Sequence, residues 1–188
     1  MPSGTPVEQF AAVIPAGGVG SRLWPLSQPH RPKFLLDLLG HGRTLLQSTY
    51  DRLEPLASVT VVVTGAAHAD AVASQLPDVA AENILAEPSP RDSMAAIALA
   101  AAVLQHRHGP ITMGSFAADH VIPDTELFRA TVQQAIAAAA QGAVVTLGIK
   151  PTGPSEAFGY IDASDEALTG TVALRVNALT EKPDAVTA

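Results

Sequence analysis

The chain has 188 residues, is 47% hydrophobic and 15% charged, carries a formal net charge of -7 and has no cysteine. That balance excludes a disordered chain, argues against general nucleic-acid or anionic-membrane binding, and removes disulfides, thiolate metal sites and a cysteine nucleophile. The length suits one domain or a large part of one, and the lack of cysteine fits a reducing cytoplasm.

Residues 1–9 show neither a basic n-region nor a long apolar segment, so no signal peptide is expected there. The first element is an apolar run, Phe10 to Ile14, which reads as a buried strand. It breaks into Pro15-Ala16-Gly17-Gly18-Val19-Gly20-Ser21-Arg22. Glycines let backbone curl tightly and let N–H groups approach a ligand. Arg22 adds a planar fork of donors suited to phosphate, and Lys33 adds a second cation. A strand, a glycine-rich turn and two cations meet the needs of a nucleoside triphosphate tail. Gly-Gly-x-Gly by itself is common in ordinary turns. No Gly-Lys-Ser/Thr follows, so this is not a Walker A loop, and Leu23 stands where the dinucleotide fingerprint needs its third glycine.

Beyond that turn the pattern alternates. Thr44-Leu45-Leu46-Gln47 offers a capping box for a helix with Leu45, Leu46, Thr49 and Leu53 on one face. Further strands are expected at Val59–Thr64, Asn83–Ala86, Ile111–Phe116 and Ala143–Ile149. Helices are expected over Ala66–Leu76, from Ser93 as N-cap to Arg107, and from Asp124 to just before Gly142. The longest apolar run, Met94–Leu104, is too short to span a membrane. Short apolar strands alternating with helices predict an α/β, Rossmann-like, doubly wound and mostly parallel sheet. Ligands of such sheets sit at the carboxyl ends of strands, where the glycine turn lies.

Two more segments fall at such ends. Glu87-Pro88-Ser89-Pro90-Arg91-Asp92-Ser93 reads equally as a capped loop and as polar groups near a base. In Ser115-Phe116-Ala117-Ala118-Asp119-His120, Asp119 is either a loop-opening aspartate or a holder of Mg²⁺ against phosphate oxygens. After Lys150 the pattern changes: Pro151, Gly153 and Pro154 mark a loop, Phe158-Gly159-Tyr160-Ile161 reads as a β-bend, Thr171–Val176 as a strand, and Glu181-Lys182-Pro183 as a solvated turn. The scattered histidines form no metal spacing; His106 and His108 would point to different faces of a helix.

The longer pattern is more specific. Ala16-Gly17-Gly18-x-Gly20-x-Arg22-Leu23-x-Pro25-Leu26-Ser27, followed by Arg31-Pro32-Lys33-Phe34-Leu35, resembles the signature of sugar-1-phosphate nucleotidyltransferases. Its Trp24-Pro25-Leu26-Ser27 ending is most similar to mannose-1-phosphate guanylyltransferases. The resemblance implies that Ala16, Gly17, Gly18, Gly20, Ser21 and Arg22 wrap the nucleotide phosphates, with Arg22 and Lys33 catalytic. It extends nucleotide binding to Glu87, Arg91, Asp92 and Ser93, in a segment where asparagine and threonine are usual at the last two positions. It makes Asp119 a Mg²⁺ ligand, and His120 a shaper of its loop. It assigns Gly159, Glu181 and Lys182 to the sugar phosphate. Two departures are visible: Phe34 follows Lys33 directly where many members insert glutamine, and Glu156-Ala157 stand where threonine and glycine are frequent.

Residues 10–150 would then be the nucleotide-binding part and 151–188 the start of the sugar-phosphate-binding part. The implied reaction is transfer of GMP from GTP to mannose 1-phosphate, with Mg²⁺. The family continues into a Trp-x-Asp-x-Gly-type segment bearing a second magnesium aspartate, whereas Trp24 is the only tryptophan here. The chain is therefore expected to be an N-terminal portion, or to have its site completed by a partner chain or a homo-oligomer. Two other readings stay open. One is a different nucleotidyltransferase of this fold; those that attach GMP to molybdopterin have nearly this length but lack the Arg-Leu-Trp-Pro-Leu-Ser and Glu-Lys-Pro segments. The other is a noncatalytic nucleotide-binding subunit.

Overall fold

The computed structural model describes residues 9–18, 20–89, 91–184 and 186–187. Outside them lie residues 1–8, read above for a signal peptide, Val19 of the glycine turn and Pro90 of the Glu87–Ser93 segment. Two compact units divide the chain, one ending at Arg129 and the other beginning at Ala130.

In the first unit, β1 (Phe10–Ala16) is apolar throughout, and Phe10 to Ile14 are each at most 4% exposed. A strand buried on both faces belongs in the middle of a covered sheet. Accordingly β1 lies between β2 (Val59–Gly65) and β4 (Thr112–Ser115), with β3 (Ile84–Glu87) outside β2, in the order β3-β2-β1-β4. All three pairings are parallel, so Ala16, Gly65, Glu87 and Ser115 end at one edge of the sheet. The strands expected in this unit and the parallel α/β class are thus realised, with small shifts of boundary.

Four helices accompany the strands: α1 (Leu45–Leu53), α2 (Ala69–Gln75), α3 (Asp92–His108) and α4 (Thr125–Ala139). The capping box at Thr44 forms: Gln47 N–H donates to Thr44 Oγ1 at 3.3 Å and Thr44 N–H to Gln47 Oε1 at 3.0 Å. The buried face of α1 holds Leu45, Leu46, Thr49 and Leu53, as its periodicity implies, and also Arg52. In α3, Ala96, Ala100 and Leu104 pack on Ala11, Val13, Val61 and Val63; the alanines let the helix lie close to the valine-lined sheet. At the start of α4, Asp124 Oδ1 accepts from Leu127 N–H at 2.9 Å, which is N-cap geometry.

Four expectations are corrected. Ser93 is not the N-cap of α3: the helix begins at Asp92, Arg91 holds the cap position, and Asp92 sits at φ 61°. Aspartate tolerates that left-handed conformation better than most residues, so the chain turns into the helix before Ser93. In the second unit, 143–149 forms no strand; it has no ladder partner among the described residues, and Val144 and Ile149 are 100% and 94% exposed. An apolar run becomes a strand only where another strand satisfies its backbone. Phe158–Ile161 is not a bend: from Gly159 it forms the start of β5 (Gly159–Ala167), and the strand expected over 171–176 forms later in the chain, as its antiparallel partner β6 (Leu174–Glu181). The turn supplied by Gly170 at φ 75°, with Leu168 and Ala173 bonded across it, sets that later register. Among the described residues no helix is long and apolar enough to cross a membrane.

Leu104→Ala should leave a void between α3 and the sheet and destabilise the fold by about 2–5 kcal/mol, measured by urea unfolding of the 188-residue chain. A loss below about 1 kcal/mol would mean that α3 does not depend on this contact.

Candidate functional site

The glycine turn is held at both ends by buried hydroxyls. Thr64 Oγ1, on β2, donates to the Ala16 carbonyl at 2.8 Å. Ser27 Oγ donates to the Gly20 carbonyl at 2.5 Å, and Leu23 N–H reaches the same oxygen at 2.9 Å. Between those anchors Gly17 and Gly18 are exposed. Gly20 has two reasons to be glycine: its φ is 69°, and a Cβ there would lie 2.7 Å from Lys33 Cβ.

Lys33 opens a short 3-10 turn, Lys33–Leu35, whose Phe34 and Leu35 are buried. Gln75 of α2 donates to the Leu35 carbonyl at 3.4 Å, and the Phe34 ring meets His68 edge-on at 6.0 Å. Asp119 arrives from the other side. After β4 ends, Phe116 N–H donates to the Val13 carbonyl at 2.9 Å and Ala118 N–H to that of Pro15 at 3.3 Å. The β1–β4 pairing therefore continues past the strand and carries Asp119 to the glycine turn. There Lys33 Nζ lies 3.0 Å from Asp119 Oδ2.

A cleft of about 120 Å³ opens between these groups, lined by Pro15, Gly17, Gly18, Gly20, Lys33 and Asp119, with Phe34 and Ala118 behind them. It is smaller than the roughly 300–1,000 Å³ of a whole small-molecule site, so it suits one end of a nucleotide. The Lys33 and Asp119 side chains are 32% and 42% exposed. An ion pair that open stabilises by at most about 1 kcal/mol, so each partner can be exchanged for a ligand group.

Asp119 Oδ1 has no partner among the described residues, which also contain no group of three or more metal-ligating side chains. Mg²⁺ needs one or two carboxylates and completes its shell with water and substrate phosphates. The donor set fits Mg²⁺ held jointly with phosphate, and does not fit an all-protein cage.

The remaining candidates are dispersed. Ser21 and Arg22 are exposed in a 3-10 turn after Gly20 and do not line the cleft; among the described residues the Arg22 guanidinium has no partner. Ala16 is buried in β1. Glu87 ends β3, two strands from β1, while Arg91, Asp92 and Ser93 are exposed at the start of α3; none of the four lines the cleft. Within the second unit Gly159, Glu181 and Lys182 do come together. Gly159 pairs with Glu181, and a Cβ on Gly159 would fall 2.7 Å from Glu181 Oε2. Lys182, at φ 44°, places Nζ 3.3 Å from Glu181 Oε1 and donates its N–H to the Phe158 carbonyl at 3.2 Å.

Sequence reasoning missed Pro15, Phe34 and Ala118 as lining residues, because it looked for charge and glycine. It also missed Arg52, whose signal was present: an arginine one position before Leu53 on the apolar face of α1. Burial pushes its guanidinium below the ordinary arginine pKa, against the opposing pull of Asp51.

A parallel sheet with a glycine turn, a lysine and an aspartate converging at its carboxyl edge defines an α/β protein with a candidate ligand site at its strand ends. The nucleotidyl transferase family profile matches residues 11–188, and the chain belongs to that family. It is 41% identical over 179 residues to the xanthan biosynthesis protein XanB of Xanthomonas campestris pv. campestris, covering 94% of this chain and 37% of that protein. It is 42% identical over 184 residues to the mannose-1-phosphate guanylyltransferase of Escherichia coli K12, covering 94% and 38%. The chain thus spans well under half the length of these relatives. Among solved structures, the mannose-1-phosphate geranyltransferase of Thermus thermophilus superimposes with a TM-score of 0.83 at 34% identity, over 95% of this chain and 52% of that one. A mannose-6-phosphate isomerase from Helicobacter pylori, 21% identical with a TM-score of 0.74, shares the fold alone.

Gly20→Ala should destabilise the chain by at least about 1 kcal/mol, from the left-handed backbone alone, whereas Gly17→Ala, with no positive φ and open space around its Cβ, should change stability far less. Urea midpoints of the two variants make the comparison; equal midpoints would show that the turn adapts freely around Lys33.

Proposed function

We propose that the chain carries the nucleotide-binding part of a mannose-1-phosphate guanylyltransferase, which transfers GMP from GTP to α-D-mannose 1-phosphate and releases pyrophosphate. The observation that carries this reading is the meeting of Lys33 and Asp119 beside the glycine turn. The likeness to guanylyltransferases of about this identity supports the choice of base and sugar.

In this reading an oxygen of the sugar phosphate attacks the α-phosphorus in line, a new P–O bond forms, and the bond from the α-phosphorus to the bridging oxygen breaks as pyrophosphate leaves. The nucleophile is already an anion, so no strong general base is needed. The protein's work is to bring two anions together and to stabilise the charge that develops. The turn amides of Gly17 and Gly18 and the Arg22 guanidinium hold the triphosphate. Lys33 leaves Asp119 for the transferring phosphoryl group. Asp119, released, would hold Mg²⁺, which would supply neutralisation of phosphate charge. Glu87, Arg91, Asp92 and Ser93 are assigned to the base, and Gly159, Glu181 and Lys182 to the sugar phosphate. A second reading, nucleotide binding without turnover, draws on the single carboxylate in the cleft.

The test is pyrophosphate release by the 188-residue chain with Mg²⁺, mannose 1-phosphate and each nucleoside triphosphate in turn. Release with GTP is expected from this chain or, where the site needs the segment that follows in the relatives, from a chain extended by it; release with another triphosphate alone would overturn the base assignment. Calorimetric GTP binding without any release would favour the binding reading. Where turnover occurs, Lys33→Ala and Arg22→Ala should each lower it by about 10²–10³-fold, and a near-parental rate for either would remove that residue from the site.

A further inference from the structure

Arg52 lies on the buried face of α1, 7% exposed, without a carboxylate partner of its own among the described residues. The adjacent Asp51 is taken by Arg43, whose Nε donates to Asp51 Oδ2 at 2.8 Å. Burying a guanidinium is costly unless its donors are used. Here Nη2 donates to Thr49 Oγ1 at 2.9 Å and to the His120 carbonyl at 3.1 Å, and the guanidinium carbon stands 5.8 Å from the Phe128 ring centre. Arg52 Nε has no hydrogen-bond partner among the described residues. Packing alone would be served better by leucine or methionine, so the use of this buried cation is sought in what it grips.

It grips the Asp119 loop. Thr49 Oγ1, itself accepting from Arg52, reaches the Ala118 carbonyl at 3.5 Å. The carbonyls immediately before and after Asp119 are thus both held from α1, and the Ala118 N–H is held from β1 by Pro15. The helix end is fixed in turn: Arg129 Nε donates to the Arg52 carbonyl at 3.0 Å and Nη2 to that of Asp51 at 2.9 Å. Asp119 stands partly in solvent at the tip of a loop whose backbone cannot readily turn. We propose that Arg52, with Thr49, is a positioning residue that fixes the Asp119 carboxylate for a divalent cation bound together with a nucleotide triphosphate. The inference rests on the assignment of Asp119 as the cation ligand made above.

The experiment measures binding of Mn²⁺, followed by its electron paramagnetic resonance signal, to the GTP-saturated 188-residue chain. Asp119→Ala must first weaken Mn²⁺ binding; if it does not, the assignment of Asp119 falls and this inference with it. Given that loss, Arg52→Met should weaken Mn²⁺ about 10–100-fold, the range for residues that orient a ligand from behind. It should leave GTP affinity in EDTA within about twofold, since only the cation ligand is displaced. Arg52→Lys should recover part of the loss, and Arg52→Met should add nothing on top of Asp119→Ala, because the two act through one group. A folded Arg52→Met chain that binds Mn²⁺ as the parent does, or effects that simply add, would overturn the proposal while Asp119 remains a ligand. If Arg52→Met does not fold, Thr49→Val carries the same test: weaker Mn²⁺ binding with unchanged metal-free GTP affinity supports the proposal, and parental Mn²⁺ binding overturns it.

Discussion

The parallel pairing of β1 with β4 is the constraint on which the site depends. Its register, Phe10 with Thr112 through Val13 with Ser115, continues past β4 in the bonds from Phe116 and Ala118 to Val13 and Pro15. Those bonds lay the Asp119 loop alongside the glycine turn although the two are about a hundred residues apart in sequence. A slip of one residue would reverse which side chains face each side of the sheet. Phe116, edge-on to Phe10 at 6.4 Å and to Phe128 at 5.8 Å, would then leave its aromatic cluster.

Around that pairing the same device recurs: a buried or half-buried hydroxyl or guanidinium holds a backbone carbonyl where regular structure stops. Thr64 holds Ala16, Ser27 holds Gly20, Thr49 and Arg52 hold the carbonyls flanking Asp119, and Arg129 holds the end of α1. Loops that leave a sheet edge lose their ladder partners, and buried carbonyls without partners are destabilising. Supplying partners from side chains satisfies the backbone and stiffens the loops, so Lys33 and Asp119 meet on a frame that is largely preformed.

Legibility in the sequence followed the range of the interactions. β1, β2 and the box at Thr44 were readable because burial on both faces and an N-cap spacing leave local marks. Asp119 follows a strand end, a ligand-binding position in this class of sheet, but the residues alone leave it open between a loop-opening aspartate and a cation holder, and only the family resemblance favours the second. The strand expectations that failed depended on partners elsewhere in the chain. Residues 143–149 have the composition of a strand but no neighbour to pair with among the described residues, and 158–161 look turn-like but lead into β5, which finds β6. Arg52 was passed over because helix periodicity sorts residues into apolar and polar, and a buried arginine belongs to neither group until the loop it holds is known.

The half-open pair of Lys33 and Asp119 gives the cleft a further property. Without a ligand, the site carries its own counterions: the lysine charge is neutralised by the carboxylate and the carboxylate by the lysine. An arriving anion that draws Lys33 away leaves a bare negative charge, and an arriving cation that takes Asp119 leaves a bare positive one. Under the proposed function the site would behave as an ion exchanger with two linked ports: each ion would raise the affinity for the other by the same factor, and a chain of net charge -7 would take up a polyanion most readily when a cation comes with it.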